Sequence, residues 1–136
     1  MPFAMGRFFD LANSIMLVLG PDAKVIDINP AGCNLLGAKR QEVVGKNWIR
    51  NFIPASRRRE LTKVFDDVST SSASVPTDYE NPVLTMAGKE RIILWRNTTQ
   101  RDASGKLVAV LSSGTDVTDR KKAEMALVTE QKKLSP

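Results

Sequence analysis

The passage from residue 107 to residue 124 constrains this chain most. Leu107-Val108-Ala109-Val110-Leu111 is apolar throughout and reads as a β-strand. Beyond Ser112-Ser113-Gly114-Thr115-Asp116-Val117-Thr118 the chain turns charged and carries no glycine or proline until Pro136. That predicts a helix over Thr118 to Leu134. Asp116 and Thr118 have short oxygen side chains, suited to accept a hydrogen bond from an unpaired N–H in a first helical turn. Asp116 and Arg120, four residues apart, are placed to pair and so to set the angle at which the helix leaves. A strand feeding directly into a capped helix can pass a small shift in a sheet to whatever lies beyond it. The helix itself has Ala123, Leu127 and Leu134 near one stripe, interrupted by Glu130 and Gln131, a feeble coiled-coil pattern.

Upstream, Phe3 to Asn13 reads as a short helix lying against one side of a sheet. Ile15-Met16-Leu17-Val18-Leu19 is apolar at every position, as in a strand buried on both faces. Pro21-Asp22-Ala23 supplies a turn into a second strand, Lys24 to Ile28. Asn29-Pro30 is a helix start, with Asn as N-cap and Pro where its missing N–H costs nothing, and Gly37 is placed to end the helix. A second short helix spans Arg40 to Val44, a further turn Trp48 to Phe52, and Pro54 opens the longest helix. There Leu61, Val64, Phe65 and Val68 follow the i, i+3, i+4, i+7 spacing of one buried stripe. Ser69 to Ser74 reads as a polar connection. Three strands follow: Asp78 to Met86, whose Pro82 marks an edge or bulge, then Glu90 to Gln100 and Lys106 to Val117. Two strands, a helical block and three meandering strands give an α+β fold, one antiparallel sheet with helices packed on one face.

Period-two alternation puts Ile93 and Trp95 on one face of their strand and Ile92 and Leu94 on the other, with Leu107 and Leu111 opposing Val108 and Val110. A sheet apolar on both faces must be covered on both. The outer face, assigned Ile92, Leu94, Leu107 and Leu111, is therefore expected to be covered by the N-terminal segment, a second copy of the chain, or both.

Several chemistries are disfavoured. The 136 residues contain no histidine and one cysteine, Cys33. No His-ligated metal and no catalytic histidine can come from this chain, and no internal disulfide can form. Asp66 and Asp67 are adjacent on a helix and point apart, and no glycine-rich phosphate loop is present. The expectation is no catalytic residues, no metal and no enzyme activity in this chain. The net charge of +5 collects partly in Arg57-Arg58-Arg59, which precedes an apolar helix face and reads as a solvated surface rather than a nucleic-acid site. No membrane span and no secretory signal is visible. With one cysteine, a reducing, cytoplasmic location is the expectation.

Asp116-Val117-Thr118, with Arg120 and Lys121-Lys122-Ala123-Glu124, resembles the end of a PAS domain of the sensory-box type, in which an Asp-Ile/Val-Thr step joins the last strand to a signalling helix. Gly45-Lys46-Asn47-Trp48, Phe52-Ile53-Pro54 and Leu94-Trp95-Arg96-Asn97-Thr98 resemble the same family in the expected order, so the resemblance covers roughly residues 10 to 125. In relatives with this strand motif the position of Arg96 is often His, a departure on the outer face. The resemblance implies the PAS fold with strand order 2-1-5-4-3. It divides the chain into an N-terminal capping helix (1–13), a PAS core (14–117) and the start of a signalling helix (118–136).

Functionally, the resemblance implies a sensory or relay module of a bacterial signal-transduction protein, above all a histidine kinase. Ligand occupancy or dimer geometry would be relayed to the exit helix through Asp116, Thr118 and Arg120, with an effector domain further along the chain and a homodimer as the assembly. PAS relatives hold ligands between the inner sheet face and the helices. The candidate lining here is Trp48, Phe52, Ile93, Trp95, Asn97, Ser112 and Gly114, apolar walls with a few convergent polar groups. A filled core in which Asn97 bonds to backbone is the preferred alternative for those residues. No cofactor is required. Haem-type members use a histidine on the long helix, and flavin light sensors a cysteine in Asn-Cys-Arg-Phe-Leu after the second helix. This chain has neither, and Cys33, on the first helix, reads as an inert core thiol. Non-covalent FAD is left open. A ligand-free homodimerisation module is the alternative of a different class, and a DNA-binding regulator ranks last.

Overall fold

Capping and alternation account for where the elements begin and end. In the computed structural model, which describes residues 6–70 and 78–134, the order is α1 (Gly6–Leu11), β1 (Ile15–Leu19), β2 (Val25–Ile28), α2 (Pro30–Leu36), α3 (Arg40–Val43), α4 (Trp48–Phe52) and α5 (Ala55–Thr70). There follow β3 (Tyr79–Leu84), β4 (Glu90–Arg101), β5 (Leu107–Asp116) and α6 (Thr118–Leu134). All strand pairings are antiparallel, and the sheet runs β2-β1-β5-β4-β3. This is the α+β architecture and the strand order expected from the sequence.

Asn29 anchors the first turn of that architecture. It is fully buried. Its Oδ1 accepts from Gly32 N at 3.0 Å as the N-cap of α2 and from Met16 N at 2.9 Å, and its Nδ2 donates to Ser14 O. One side chain thus caps a helix and ties it to β1. Gly37 closes α2 with φ 71°, a left-handed conformation that a side chain would strain. The segment from Gly45 to Trp48 then bonds along β2 and the turn before it: Gly45 N to Val25 O, Val25 N to Lys46 O, Trp48 N to Ala23 O. Asn47 caps α4 through Arg50 N. These contacts fix where Trp48 enters the core.

The core lies between the inner sheet face and α2–α5. Ile15, Leu17, Leu19, Ile93, Trp95 and Val110 of the sheet pack against Leu36, Val43, Trp48, Phe52, Ile53 and Val68. Burying each such side chain stabilises the fold by roughly 1.5–3 kcal/mol. The polar connection expected from Ser69 begins later, since Ser69 and Thr70 belong to α5; its remainder lies outside the described residues.

One outer-face expectation is corrected. Leu107 is 2 % exposed and belongs to the inner core. The register of β4 with β5 shifts between Gln100 and Arg101, so that Gln100 faces Ala109 but Arg101 faces Leu107. Val108 is the extra residue of a bulge, which turns Leu107 to the other face and leaves Val108 44 % exposed. Arg101, opposite Leu107, reaches the α5 carbonyl of Val68 at 2.8 Å, which identifies that face as the helix side. Uninterrupted alternation had put Leu107 outside. Ile92 and Leu94 remain half-buried on the outer face and Leu111 is exposed. Helix α1 packs beside α2, with Phe8 and Leu11 open to solvent.

Candidate functional site: a latch and a cavity

β4 carries two sites. At its start, a latch joins the sheet to α6. Val117 N donates to Ile92 O and Lys121 N to Val117 O, each at 2.9 Å, so Val117 ends the sheet ladder and its carbonyl starts the helix. The Thr118 hydroxyl oxygen accepts from Ile92 N at 2.7 Å. Asp116 Oδ1 accepts from both the Thr118 N–H (2.9 Å) and the Thr118 hydroxyl (2.6 Å), while Oδ2 takes Arg91 Nε at 2.8 Å. The cap is therefore shared: Asp116 satisfies the first helical N–H, and Thr118 spends its acceptor on β4. Arg120 does not pair with Asp116. It lies 3.8 Å from Glu124 of its own helix, while Arg91 of β4, two residues before Asp116's ladder partner Ile93, holds the carboxylate. Arg91 also lies 3.8 Å from Asp119, and Lys121 pairs with Glu80 of β3 at 3.2 Å.

Partial burial pushes the Asp116 carboxyl up. The hydrogen bonds from the Thr118 hydroxyl, Arg91 and the Thr118 N–H, with the Arg91 charge, outweigh it and hold the group below its ordinary value. Arg91 is raised, first by its hydrogen bond to Asp116. Burial, opposed by Arg40, raises the Cys33 thiol. A protonated thiol is a poor nucleophile.

On the inner face, at Trp95 and Asn97 further along β4, lies a cavity of about 70 Å³ between the sheet and α5. Trp48, Trp95, Asn97 and Ser112 line it, with Leu61, Val64, Phe65 and Val68 of the α5 stripe as the far wall. The two indoles meet edge to face, centroids 6.1 Å apart at 85°, a favoured aromatic geometry. Three expected lining residues stand behind that wall. Phe52 packs on Trp48 at 5.1 Å, and Ile93 is fully buried. Gly114 makes room for Trp95: a Cβ there would fall 2.6 Å from Cζ3 of that ring and 2.8 Å from Ile93 Cγ2. Sequence reading missed Tyr79 and Asn81 of β3, which share the cavity; the alternation Tyr79, Asn81, Val83 was the available signal, obscured by Pro82.

Among the described residues no group of three or more Cys, Asp or Glu is placed to hold a metal, and no helix is long and apolar enough to cross a membrane. The cavity has far too little room to enclose a flavin.

A family model described as the PAS fold matches residues 9–122. A search of curated proteins gave no match. Among solved structures, the sensory box histidine kinase/response regulator of Burkholderia thailandensis E264 superposes with TM-score 0.65 at 21 % identity, over 90 % of this chain and 91 % of that one. A domain of the sensory box sensor histidine kinase/response regulator of Geobacter sulfurreducens gives 0.66 at 18 % identity, over 83 % and 91 %. The PAS domain of the Cronobacter turicensis RpfR quorum-sensing receptor, in complex with C12:0, gives 0.66 at 24 % identity, over 79 % and 96 %.

Proposed function

The chain belongs to the PAS-fold family, and on that premise we propose that it is a sensory module in which occupancy of the inner cavity is relayed to α6 through the Asp116–Thr118 latch. One observation carries this reading: Ile92, which binds Thr118 and Val117 through its own N–H and C=O, lies on the same strand as the cavity residues Trp95 and Asn97. A ligand that displaces Trp95 moves β4, and β4 holds the root of the helix. The likeness to sensory-box histidine kinases supports a bacterial two-component sensor with a kinase as the downstream effector. The bound C12:0 of the RpfR domain supports small-molecule sensing, although a cavity of about 70 Å³ suits a far smaller molecule.

The test is amide hydrogen exchange with and without a small probe that fills the cavity. Protection at Ile92, Thr118 and Lys121 should change on binding. A probe that shifts Trp95 while leaving those three amides untouched would defeat the relay.

A second reading, homodimerisation through the outer sheet face, is favoured by the 36 % exposure of Leu111 and the open Val108. Leu111→Glu should convert a dimer to monomer in light scattering, and a wild-type monomer at high concentration would remove it.

A further inference from the structure

Asn81 is 3 % exposed, and its Oδ1 is buried without a hydrogen-bond donor. An unmatched acceptor in such a place costs about 1–3 kcal/mol, so the site bears a penalty that a ligand can remove. Asn81 opposes Ile93 across the β3–β4 ladder and thus projects to the inner face. It lines both the apolar cavity and an open cleft at the root of α6, where Thr118 and Lys122 also lie. Among the described residues, the other buried side-chain polar atom without a hydrogen bond is Arg57 Nε, which borders the cleft and is ion-paired with the Glu60 carboxylate at 3.2 Å. Asn81, which lines both cavity and cleft, therefore offers the cavity one unmatched acceptor. Among the described residues, no charged side chain lines the cavity itself.

Resting on the sensory reading above, we propose that the ligand of this cavity is a small uncharged hydroxyl compound whose O–H donates to Asn81 Oδ1. Charge is disfavoured because the lining supplies no counter-ion, and a buried unpaired charge costs far more than a hydrogen bond returns. A hydroxyl can donate to the Asn81 acceptor, which a ketone or an ether cannot do. Size follows from volume. An engineered cavity of about 150 Å³ takes benzene, so about 70 Å³ admits on the order of three or four heavy atoms. The polar end of such a ligand would sit at the cleft, next to the strand that binds Thr118.

The test uses three probes with four heavy atoms and one skeleton: 2-propanol, acetone and acetate. Each is titrated into the labelled protein while the Trp95 indole N–H and the Asn81 side-chain amide are followed by NMR. 2-Propanol should bind roughly five- to tenfold more tightly than acetone, the worth of one hydrogen bond, and acetate should not bind. Asn81→Leu should abolish the preference for the alcohol and raise the melting temperature of the empty protein, since it removes an unmatched acceptor. Asn81→Val serves the same purpose where leucine is too large. Acetone or acetate binding as well as 2-propanol, or a preference that survives both substitutions, overturns the ligand class while leaving ligand sensing intact. If no probe moves Trp95, the ligand class and the sensory reading fall together.

Discussion

The two ends of the site differ in how completely their polar groups are matched. At the latch, the Thr118 N–H and hydroxyl, the Ile92 N–H and both Asp116 carboxylate oxygens have partners at 2.6–2.9 Å. At the cavity, Asn81 Oδ1 has none, and space remains beside Trp95. A satisfied network resists change, because breaking it strands several groups together. An unfilled site invites it. In the proposed relay, this contrast separates a coupling element of one geometry from a receiving element with two occupancy states.

Four substitutions and one pH series can break or sharpen that contrast. The largest effect belongs to the cavity side. Trp95→Ala removes a buried ring and should cost about 3–5 kcal/mol in urea unfolding; a loss below 1 kcal/mol would mean the indole wall is not part of the packed core. Gly114→Ala comes next. Its Cβ cannot coexist with the present Trp95 position, so overpacking should cost about 1–3 kcal/mol and shift the Trp95 fluorescence.

On the latch side, Thr118→Val keeps the shape but strands the Ile92 N–H, and should cost about 1–2 kcal/mol with faster amide exchange at Ile92 and Lys121. Unaltered exchange would show the hydroxyl to be dispensable. Asp116 provides a pH signature. Its folded-state pKa is depressed, so its contribution is fully present above an unfolded pKa of about 3.9 and disappears as pH falls through the folded value. Stability measured from pH 5 downward should therefore fall less steeply in Asp116→Asn than in wild type. Asp102 is depressed as well, first by the Ser104 hydroxyl, so Asp102→Asn is the matched control. The smallest effect is Arg120→Ala, an exposed pair at 3.8 Å with Glu124. It should change stability by less than about 0.5 kcal/mol, and a larger loss would restore Arg120 as the partner of Asp116.

Much of the fold could be read from residues whose local chemistry admits one answer. Asn29-Pro30 and Gly37 bound α2, the α5 stripe faces the core, and Thr118 begins the last helix. What escaped was set by tertiary contacts. The bulge at Val108 is a pairing event between two strands, and nothing in Leu107-Val108-Ala109 announces which residue is skipped. Arg91, rather than Arg120, meets Asp116 because the sheet register brings together residues 25 positions apart, a distance at which helical spacing rules are silent. Trp48, Trp95, Asn97 and Ser112 were named as candidate lining from the family resemblance together with strand alternation, beside a preferred filled core. Asn81 was not, since its lack of a donor is a property of its surroundings.

The attachment of α6 to the sheet through its first turn alone has a mechanical consequence. The helix is 17 residues long, about 25 Å at 1.5 Å per residue, and its side chains from Lys122 to Lys133 are exposed. It behaves as a lever with a short pivot: a tilt of about 5° at Ile92 carries the far tip through about 2 Å. A displacement too small to notice inside the globule would thus arrive, at the other end of the arm, as one wide enough to change how two side chains meet.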